Sequence, residues 1–497
     1  MRSQRQTRQA PQTTPREAPI TLDDVLSEAR YTPRDEGYDE IKMAVDMMIK
    51  RATGAGERQS SKIDRVAVDR MIAEIDQKIS AQIVEVLHHP EFQRLESAWR
   101  GLEYMVDKID FSQNIRIAVL NCTKEDLLDD FEDAGKVDKS NLFKRVYTDG
   151  LGVYGGKPYG LVCANFDFGP SGDDIDLLRR CAAVSSMAHA PLITNASPEL
   201  FGKSERSFEA LGKLRDIDAL FEMPHYARWR SFRESEDARN VGLCLPRFML
   251  RAPYEPGDRR VRSFNFSEET EGAHDRYLWG HASVAFTTRV AASFAKYRWC
   301  PNIIGPNSGG AVEDLPIHHY EVLGKGHTKM PIEVQISDRQ EFELANNGFI
   351  PLVWQKESDR ACFFSANSAQ RVMRSHDVEL QQSIELGSKL PYMFIVSRMA
   401  HYLKIRQREL LGSDMSRSQL EAELNKWIGN YVNNMETTDP KTRASKPLRW
   451  AKISVEDVEG EPGRYSCRLQ LRPHFKYNGA SFTLSLVGKV DKGAGAS

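Results

Sequence analysis

Apolar residues recur at helical spacing over the first hundred residues of the chain. Between residues 65 and 87 they step by three or four positions while polar residues fill the other faces, which predicts a long amphipathic helix. The same spacing resumes over residues 91–107, and residues 39–51 form a shorter helical stretch. Upstream, residues 20–30 place Leu22, Val25 and Leu26 on one stripe of a helix too short to be stable alone. That helix either docks on its own chain or binds a partner.

The pattern then changes to strands that alternate with helices. Residues 115–119 alternate apolar and polar positions and predict a strand, and Thr123 is placed to cap a helix that follows. Strands over 159–166 and 191–196 flank a helix over 173–189. Further strands are predicted over 241–245, 334–336, 349–354 and 361–365, with Ser337 and Gln340 forming a capping box between two of them. The pattern predicts an α/β mixed fold whose sheet is largely parallel or mixed.

The last hundred residues combine two strong helices with a strand-rich end. The helices cover 391–411 and a second segment whose predicted capping box is Ser418 with Glu421. Residues 433–447 are interpreted as a linker, and the strands after it, over 450–458, 465–471 and 481–487, have no evident covering helix. Open strand edges pair readily with other chains. The residues predicted to form such intersubunit strands are Tyr465, Leu469, Leu471, Phe482, Leu484 and Leu486.

Composition excludes several classes of protein. The 497 residues are 40% apolar and carry a net charge of −2, which gives no general attraction to nucleic acid or anionic membrane. No apolar run approaches 18 residues, so no membrane insertion is expected. The first 16 residues are polar and basic, which predicts a disordered tail rather than a secretory signal. Seven cysteines without a CxxC pair indicate reduced thiols in the cytoplasm.

The search for catalytic motifs finds none with the required spacing. The glycine-rich stretch 150–160 has five residues where a phosphate-binding loop needs four, and Pro158 stands in place of the hydroxyl residue. Neither HExxH nor GxSxG occurs, and the paired histidines His88 with His89 and His318 with His319 are adjacent, so their side chains diverge. No cofactor, metal or catalytic residue is therefore predicted.

The densest charge cluster is WRSFRESEDAR, over residues 229–239. Two interpretations remain open for it: an anion-binding or catalytic arginine site, or interlaced ion pairs that hold elements together. Because the signs are mixed and largely cancel, the structural interpretation is favoured. Its members are Arg230, Arg233, Glu234, Glu236 and Arg239, and the arginines are expected to pair with acidic residues.

Several long segments together resemble one family, the large subunit of the type VI secretion contractile sheath (TssC/VipB). They include HPEFQRLESAWRGLEYMV, LFKRVYTDGLGVYGGKPYG, WRSFRESEDAR, YLWGHASVAF and LRPHF, in order over residues 20–490. The resemblance implies a non-enzymatic protein with a phage-tail-sheath-like core, an N-terminal helical arm and C-terminal strands for intersubunit augmentation. It implies a disordered tail (1–19), an arm and linker (20–60), a domain shared with a small sheath subunit (61–300), an inner core (301–445) and a strand segment (446–497).

The resemblance also implies the partners. They are a small TssB/VipA-like sheath subunit, further copies in a helical polymer, an Hcp inner tube, a baseplate that anchors the cytoplasmic sheath to the bacterial envelope, and a ClpV-type AAA+ unfoldase. Leu22, Val25 and Leu26 are the expected unfoldase contact. The basic residues 1–16 and the GAGAS tail match no family motif. The alternatives are a sheath subunit of another contractile system, such as a tailocin, and a cytosolic α/β enzyme with an arginine-rich anion site.

Overall fold

The computed structural model divides the chain into two compact units, residues 1–85 with 255–268, and residues 86–254 with 269–497. It describes the following residues: 37–53, 65–202, 207–255, 264, 266–270, 272–322, 324–372, 381, 384–385, 387–412, 415–435, 440–458, 465–474 and 484–489. In the first unit, helix α1 (Tyr38–Thr53) begins with Asp39 and Glu40, whose charges favour a helix N-terminus. Helix α2 (Arg65–Leu87) is the long amphipathic helix that the spacing predicts, and it runs to the start of the second unit.

The helices and strands of the second unit follow the predicted order closely. The helices are α3 (Pro90–Lys108), α4 (Lys124–Ala134), α5 (Gly172–Ala188), α6 (Glu209–Lys213), α7 (Ile217–Phe221), α8 (Ala227–Arg233), α9 (Ala282–Tyr297), α10 (Asp338–Asn346), α11 (Leu390–Glu409), α12 (Arg417–Gly429) and α13 (Pro440–Ser445). The strands are β1 (Val162–Phe168), β2 (Leu192–Ala196), β3 (Val241–Leu245), β4 (Phe248–Met249), β5 (Trp279–Gly280), β6 (Ala311–Val312), β7 (His318–Val322), β8 (Lys325–Lys329), β9 (Phe349–Trp354), β10 (Ala361–Phe363), β11 (Leu448–Asp457), β12 (Tyr465–Pro473) and β13 (Leu484–Lys489).

One six-stranded sheet organises most of this unit. Its order is β1-β2-β3-β9-β10-β6. The first four strands are parallel to one another, and β10 is antiparallel to both of its neighbours, β9 and β6. The prediction of a mixed sheet with helical cover is confirmed. The sheet joins strands from both sides of residue 300, where the sequence places a domain boundary.

Two hydrophobic clusters cover the two faces of this sheet. Side chains alternate between the faces of a strand, so Leu243 and Leu245 of β3 enter one cluster and Cys244 between them enters the other. The same alternation separates Phe349 from Ile350 in β9. Helix α5 contributes to the first cluster and α9 to the second. The sheet is therefore buried on both faces, as its near-continuous apolar strands indicate.

Three local predictions need correction. Residues 115–119 contain no helix, turn or bend but form no strand among the described residues, and residues 334–336 are not a strand either. The capping box of α12 is Ser416 with Gln419, two positions earlier than predicted. The boxes of Ser337 with Gln340 and of Thr123 with Asp126 are present. Spacing alone identified the capped helices, but two serines fit the second box almost equally well.

Two buried histidines, His189 and His401, pack edge to face with ring centroids 6.2 Å apart. His401 is 2% exposed, and its Nε2 lies 2.8 Å from the carbonyl oxygen of Ala188, to which it donates. Burial is the main reason that the pKa of each histidine is lowered to about 4, and the nearby positive charge of Lys404 contributes to both. Both imidazoles are therefore neutral at pH 7 in the folded protein.

Acid should destabilise the fold through this pair. The folded pKa lies below the unfolded value of 6.5, so the stabilisation is complete above pH 6.5 and is lost as the pH falls toward 4. Each histidine should contribute a slope of about 1.4 kcal/mol per pH unit in that window. The measurement is urea unfolding between pH 7 and 5. His401→Gln keeps a donor for Ala188 but does not titrate, so it should flatten the slope. An unchanged slope would exclude the pair as its source.

Candidate interaction surfaces

The C-terminal strands form a three-stranded antiparallel sheet in the order β11-β12-β13. The expectation that no helix covers these strands is wrong. A third hydrophobic cluster joins their inner face to α11 and α12, and the predicted linker contains α13. Fully buried members of this cluster are Leu424, Ile453, Cys467, Leu469 and Leu471. The sheet is thus part of the protomer's own core.

Side chains of α12 close the outer edge of β11. Asn425 accepts the backbone N–H of Ile453 through Oδ1 at 2.9 Å and donates through Nδ2 to the carbonyl oxygen of the same residue at 2.7 Å. Glu421, one helical turn earlier, accepts the N–H of Val455 at 3.2 Å. These side chains take the place of a neighbouring strand. Their spacing of four on an amphipathic helix was the available sequence signal, and the pattern analysis missed it.

Strand β12 lies in the middle of the sheet and pairs on both sides within the chain. Within this chain it has no free edge, and the assignment of Tyr465, Leu469 and Leu471 to an intersubunit strand stays a prediction. Leu484 and Leu486 belong to β13, where they pair with Leu471 and Leu469 respectively. Within the described part of the chain, β13 is therefore the edge of the C-terminal sheet that neither a further strand nor a helix side chain closes.

The register identifies which backbone groups of β13 point outward. Ile453 directs its N–H and C=O away from β12, so alternation makes its partner Leu469 direct its own groups toward β13. The partner of Leu469 on that side is Leu486. The backbone N–H and C=O of Leu486 therefore point toward β12, and those of Val487 point away from the sheet.

Four other predicted residues lie outside the described residues: Leu22, Val25, Leu26 and Phe482.

A polar network lies at the carboxyl ends of the parallel strands, where α/β enzymes bind their ligands. Asp167 at the end of β1 has Oδ1 3.1 Å from Nε2 of His281 and Oδ2 3.3 Å from Nη2 of Arg247, which follows β3. Glu333, whose side chain is 0% exposed, lies 2.9 Å from Nε2 of His274 and accepts the backbone N–H of Arg247. The sequence analysis missed this cluster, although polar residues at the ends of parallel strands lie at the same edge of a sheet.

Charge pairing sets the protonation of this network. Burial alone would raise the pKa of Asp167, but His281 and Arg247 outweigh it and lower that pKa to about 2. Burial would lower the pKa of Arg247, but Asp167 and Glu333 raise it overall. Asp167 and Arg247 are both charged and compensate each other. Among the described residues, no group of three or more His, Cys, Asp or Glu is arranged to hold a metal ion.

The charged segment 229–239 is anchored by Arg233, which is 5% exposed at the end of α8. Its guanidinium donates to the carbonyl oxygens of Ala369 at 3.0 Å and Asn346 at 2.8 Å, and to Oδ1 of Asn347 at 3.2 Å. Burial lowers the pKa of Arg233 to about 10, so it stays protonated at neutral pH. All three guanidinium nitrogens donate to protein groups, which accounts for the burial of this charge.

The predicted acid partners are wrong for the two inner arginines. Arg230, like Arg233, donates to backbone carbonyls, those of Phe221 and Met223. The outer members do form weak ion pairs. Arg239 lies 3.9 Å from Glu236, and Glu234 lies 4.0 Å from Arg371. The sequence shows which residues are charged, but every residue has a backbone carbonyl. It therefore cannot reveal which carbonyls accept hydrogen bonds from a buried arginine.

Helix α3 presents an apolar stripe to solvent. Its opposite face packs inward, where Gly101 contacts Val284 and the ring of Tyr104 lies 5.3 Å from that of Phe248. Trp99 at the centre of the stripe is 66% exposed. The exposed members, spaced by three, four and seven, are Phe92, Leu95, Trp99 and Val106. Such a stripe is typical of a helix that packs against another chain.

Comparison with known proteins decides the family. Residues 69–370 match the VipB model, described as the EvpB tail sheath N-terminal domain. Residues 379–490 match the second VipB model, the tail sheath gpW/gp25-like domain. The chain is 38% identical over 469 residues to the type VI secretion system sheath protein TssC1 of Pseudomonas aeruginosa, covering 93% of each.

The chain belongs to the VipB/EvpB tail sheath family. It is a structural subunit of the type VI secretion contractile sheath, and membership of this family, whose proteins are structural, confirms the resemblance seen in the sequence. No helix in the described ranges is long and apolar enough to span a bilayer.

Two solved structures are also similar to this VipB-family chain. A sheath tail protein from Desulfitobacterium hafniense is 9% identical with a TM-score of 0.30, and the match covers 63% of this chain and 60% of that protein. The anti-feeding prophage baseplate is 11% identical with a TM-score of 0.33, and the match covers 78% of this chain and 82% of that one.

Replacement of Arg233 should be costly. Arg233→Ala removes three charged-donor hydrogen bonds and leaves the buried carbonyl of Ala369 without a partner, so we expect a loss of about 3 kcal/mol in the free energy of unfolding. The measurement is denaturant unfolding of the full chain. Arg239→Ala, in the same segment but exposed and loosely paired, is the matched control and should stay within about 0.5 kcal/mol. Equal losses would contradict the structural role of Arg233.

Proposed function

We propose that this chain is the large sheath subunit that pairs with a small sheath subunit and polymerises in the bacterial cytoplasm around an Hcp-type inner tube, on a baseplate that anchors the sheath to the envelope. Contraction of the sheath then propels the tube and its spike into a target cell. The observation that carries the proposal is the C-terminal sheet, which has one edge closed by Asn425 and Glu421 and the other edge, β13, open.

An open edge fits a polymer subunit for a physical reason. Each outward N–H or C=O of β13 pairs with an added strand at a net gain of about 1 kcal/mol. One such link is weak, but a helical lattice repeats it at every subunit. Because the sheet is fixed to α11 and α12 through its buried face, tension on an added strand passes into the protomer core.

The exposed stripe of α3 supports pairing with the small subunit. Phe92, Leu95, Trp99 and Val106 form a surface that water solvates poorly, and a partner helix could bury it through the same three-and-four spacing. Hydrophobic contact of this kind suits a permanent heterodimer better than a transient contact.

The two alternatives are a sheath subunit of another contractile system and a cytosolic enzyme. Identity of 38% to a type VI sheath protein favours that system over another contractile injection system. The enzyme alternative requires a free arginine or carboxylate. The guanidinium of Arg233 and the carboxylates of Asp167 and Glu333 are instead engaged by protein groups. This supports a non-enzymatic role.

The N-terminal helix is proposed as the contact for a ClpV-type unfoldase that recycles contracted sheaths. Leu22, Val25 and Leu26 share one stripe of a short helix, which is the spacing of a ligand that binds in a hydrophobic groove. The helix precedes proline-containing sequence, with Pro33 after it, and such sequence favours an extended connection.

Proline substitutions in β13 test the edge proposal. Val487→Pro removes an outward N–H, so it should leave the sheet folded and the heterodimer intact but prevent long tubules when both subunits are co-expressed. Leu486→Pro removes an inward N–H and should also destabilise the protomer. Electron microscopy measures the tubules and affinity capture the heterodimer. Normal tubules from Val487→Pro would show that the linkage lies elsewhere.

A truncation provides a second test of the same edge. Removal of residues 464–497 would delete Cys467, Leu469 and Leu471 from the core, so it would test folding rather than linkage. A stop after His474 removes β13 while keeping this core, and we expect heterodimer without tubules. Tubules of wild-type length from the shortened chain would exclude β13 as the link.

Substitution in the N-terminal helix tests the unfoldase contact. Val25→Asp with Leu26→Asp places two charges on the apolar stripe and should abolish capture of the unfoldase while tubules still assemble. Asp23→Ala with Asp24→Ala, on the polar side of the same helix, is the matched control. Pull-down from assembled sheaths measures the effect, and equal capture of unfoldase by both variants would reject the assignment.

A further inference from the structure

Residues 115–121, between α3 and α4, have a strand-like sequence but no strand partner in the described part of the chain. The stretch reads IRIAVLN and is rich in the β-branched residues that favour strands. The pattern analysis predicted a strand here, and residues 115–121 contain no helix, turn or bend. What is missing is a neighbouring strand.

Both ends of this stretch are held in place. Before it, Arg298 donates to the carbonyl oxygen of Gln113 at 2.7 Å, and Asn114 adopts a left-handed turn with φ of 61°. After it, the backbone N–H of Thr123 donates to Asp126 in the capping box of α4. Among the described residues, no backbone group from Ile115 to Asn121 takes part in a hydrogen bond. The segment thus runs between two fixed ends, and the described residues leave its backbone donors and acceptors unused.

Its side chains are also incompletely covered, on both faces. Ile115 and Ile117 are partly buried, whereas Val119 is 68% exposed and Leu120 is 56% exposed. Neighbours in an extended chain point to opposite faces, so Val119 and Leu120 expose apolar surface on both sides. A strand that is apolar on both faces is typical of a sheet that is covered on both sides.

We propose that residues 115–121 form a strand that adds to the edge of a sheet in the small sheath subunit. This rests on the proposed function, in which the two subunits form a heterodimer, and identifies a backbone contact between them. Only another extended backbone can satisfy N–H and C=O groups that alternate along a strand. A second copy of the same segment fits poorly, because a two-stranded ribbon would leave Val119 and Leu120 bare on its faces.

The position of the segment agrees with this partner. It follows α3 directly, and the apolar stripe of that helix ends at Val106 near its C-terminus. The proposed helix contact and the proposed strand contact are therefore consecutive in the chain. A partner that packs on α3 and accepts the strand would cover both in one interface.

Substitutions and hydrogen exchange in the co-purified complex test the proposal. Val119→Asp with Leu120→Asp places charges on both faces and should reduce capture of the small subunit roughly tenfold or more, and Ala118→Pro should do so through the backbone. Phe342→Asp, on the exposed face of α10 and 61% exposed, is the matched control and should capture normally. In the wild-type complex, the amides of residues 116–121 should be protected, and they should exchange freely in the full chain alone.

The outcomes separate this inference from the proposed function. Failure of the wild-type chain to capture the small subunit at all would reject the heterodimer itself. Normal capture by wild-type and by both variants would reject only the strand assignment. Protection of residues 116–121 in the chain without its partner would also overturn it, because the strand would then pair within its own chain.

Discussion

Extended backbone needs hydrogen-bond partners, and this chain meets that need differently at each strand edge. In the six-stranded sheet the central strands satisfy one another, and helices cover both faces. At β11 the side chains of Asn425 and Glu421 act as a substitute strand. At β13 and over residues 115–121, the described part of the chain supplies no partner. The closed edges therefore belong to the fold of the protomer itself, and the open edges are the ones that we propose pair with other chains.

Closing one edge of the C-terminal sheet has a specific consequence for assembly. If both edges were open, strands from neighbouring subunits could add at either side and in either order. Asn425 binds both polar groups of Ile453, so addition at β11 would first have to break two hydrogen bonds. In the proposed lattice, pairing is thereby directed to β13, as in other sheet proteins that protect their edges against unwanted association.

The polar network at the strand ends occupies the position where α/β enzymes place their ligands. Asp167, Arg247 and Glu333 lie where the parallel strands end, but each is engaged by another protein group. Such internal pairing contributes little net stability, because the cost of desolvation offsets most of the attraction. It fixes the relative positions of β1, β3 and the segment before α10, a useful property for a subunit under mechanical load.

The sequence by itself determined the helices with strong caps, the buried parallel strands and the family, because these depend on local periodicity and on long specific segments. It also indicated that the chain ends in strands. Only the tertiary structure decided which edges are open, because closure of β11 depends on a helix twenty-eight residues earlier in the chain. It likewise decided that Arg233 is satisfied by backbone carbonyls from residues over a hundred positions away. Local patterns predict an element, whereas its hydrogen-bond partners are set by contacts between distant parts of the chain.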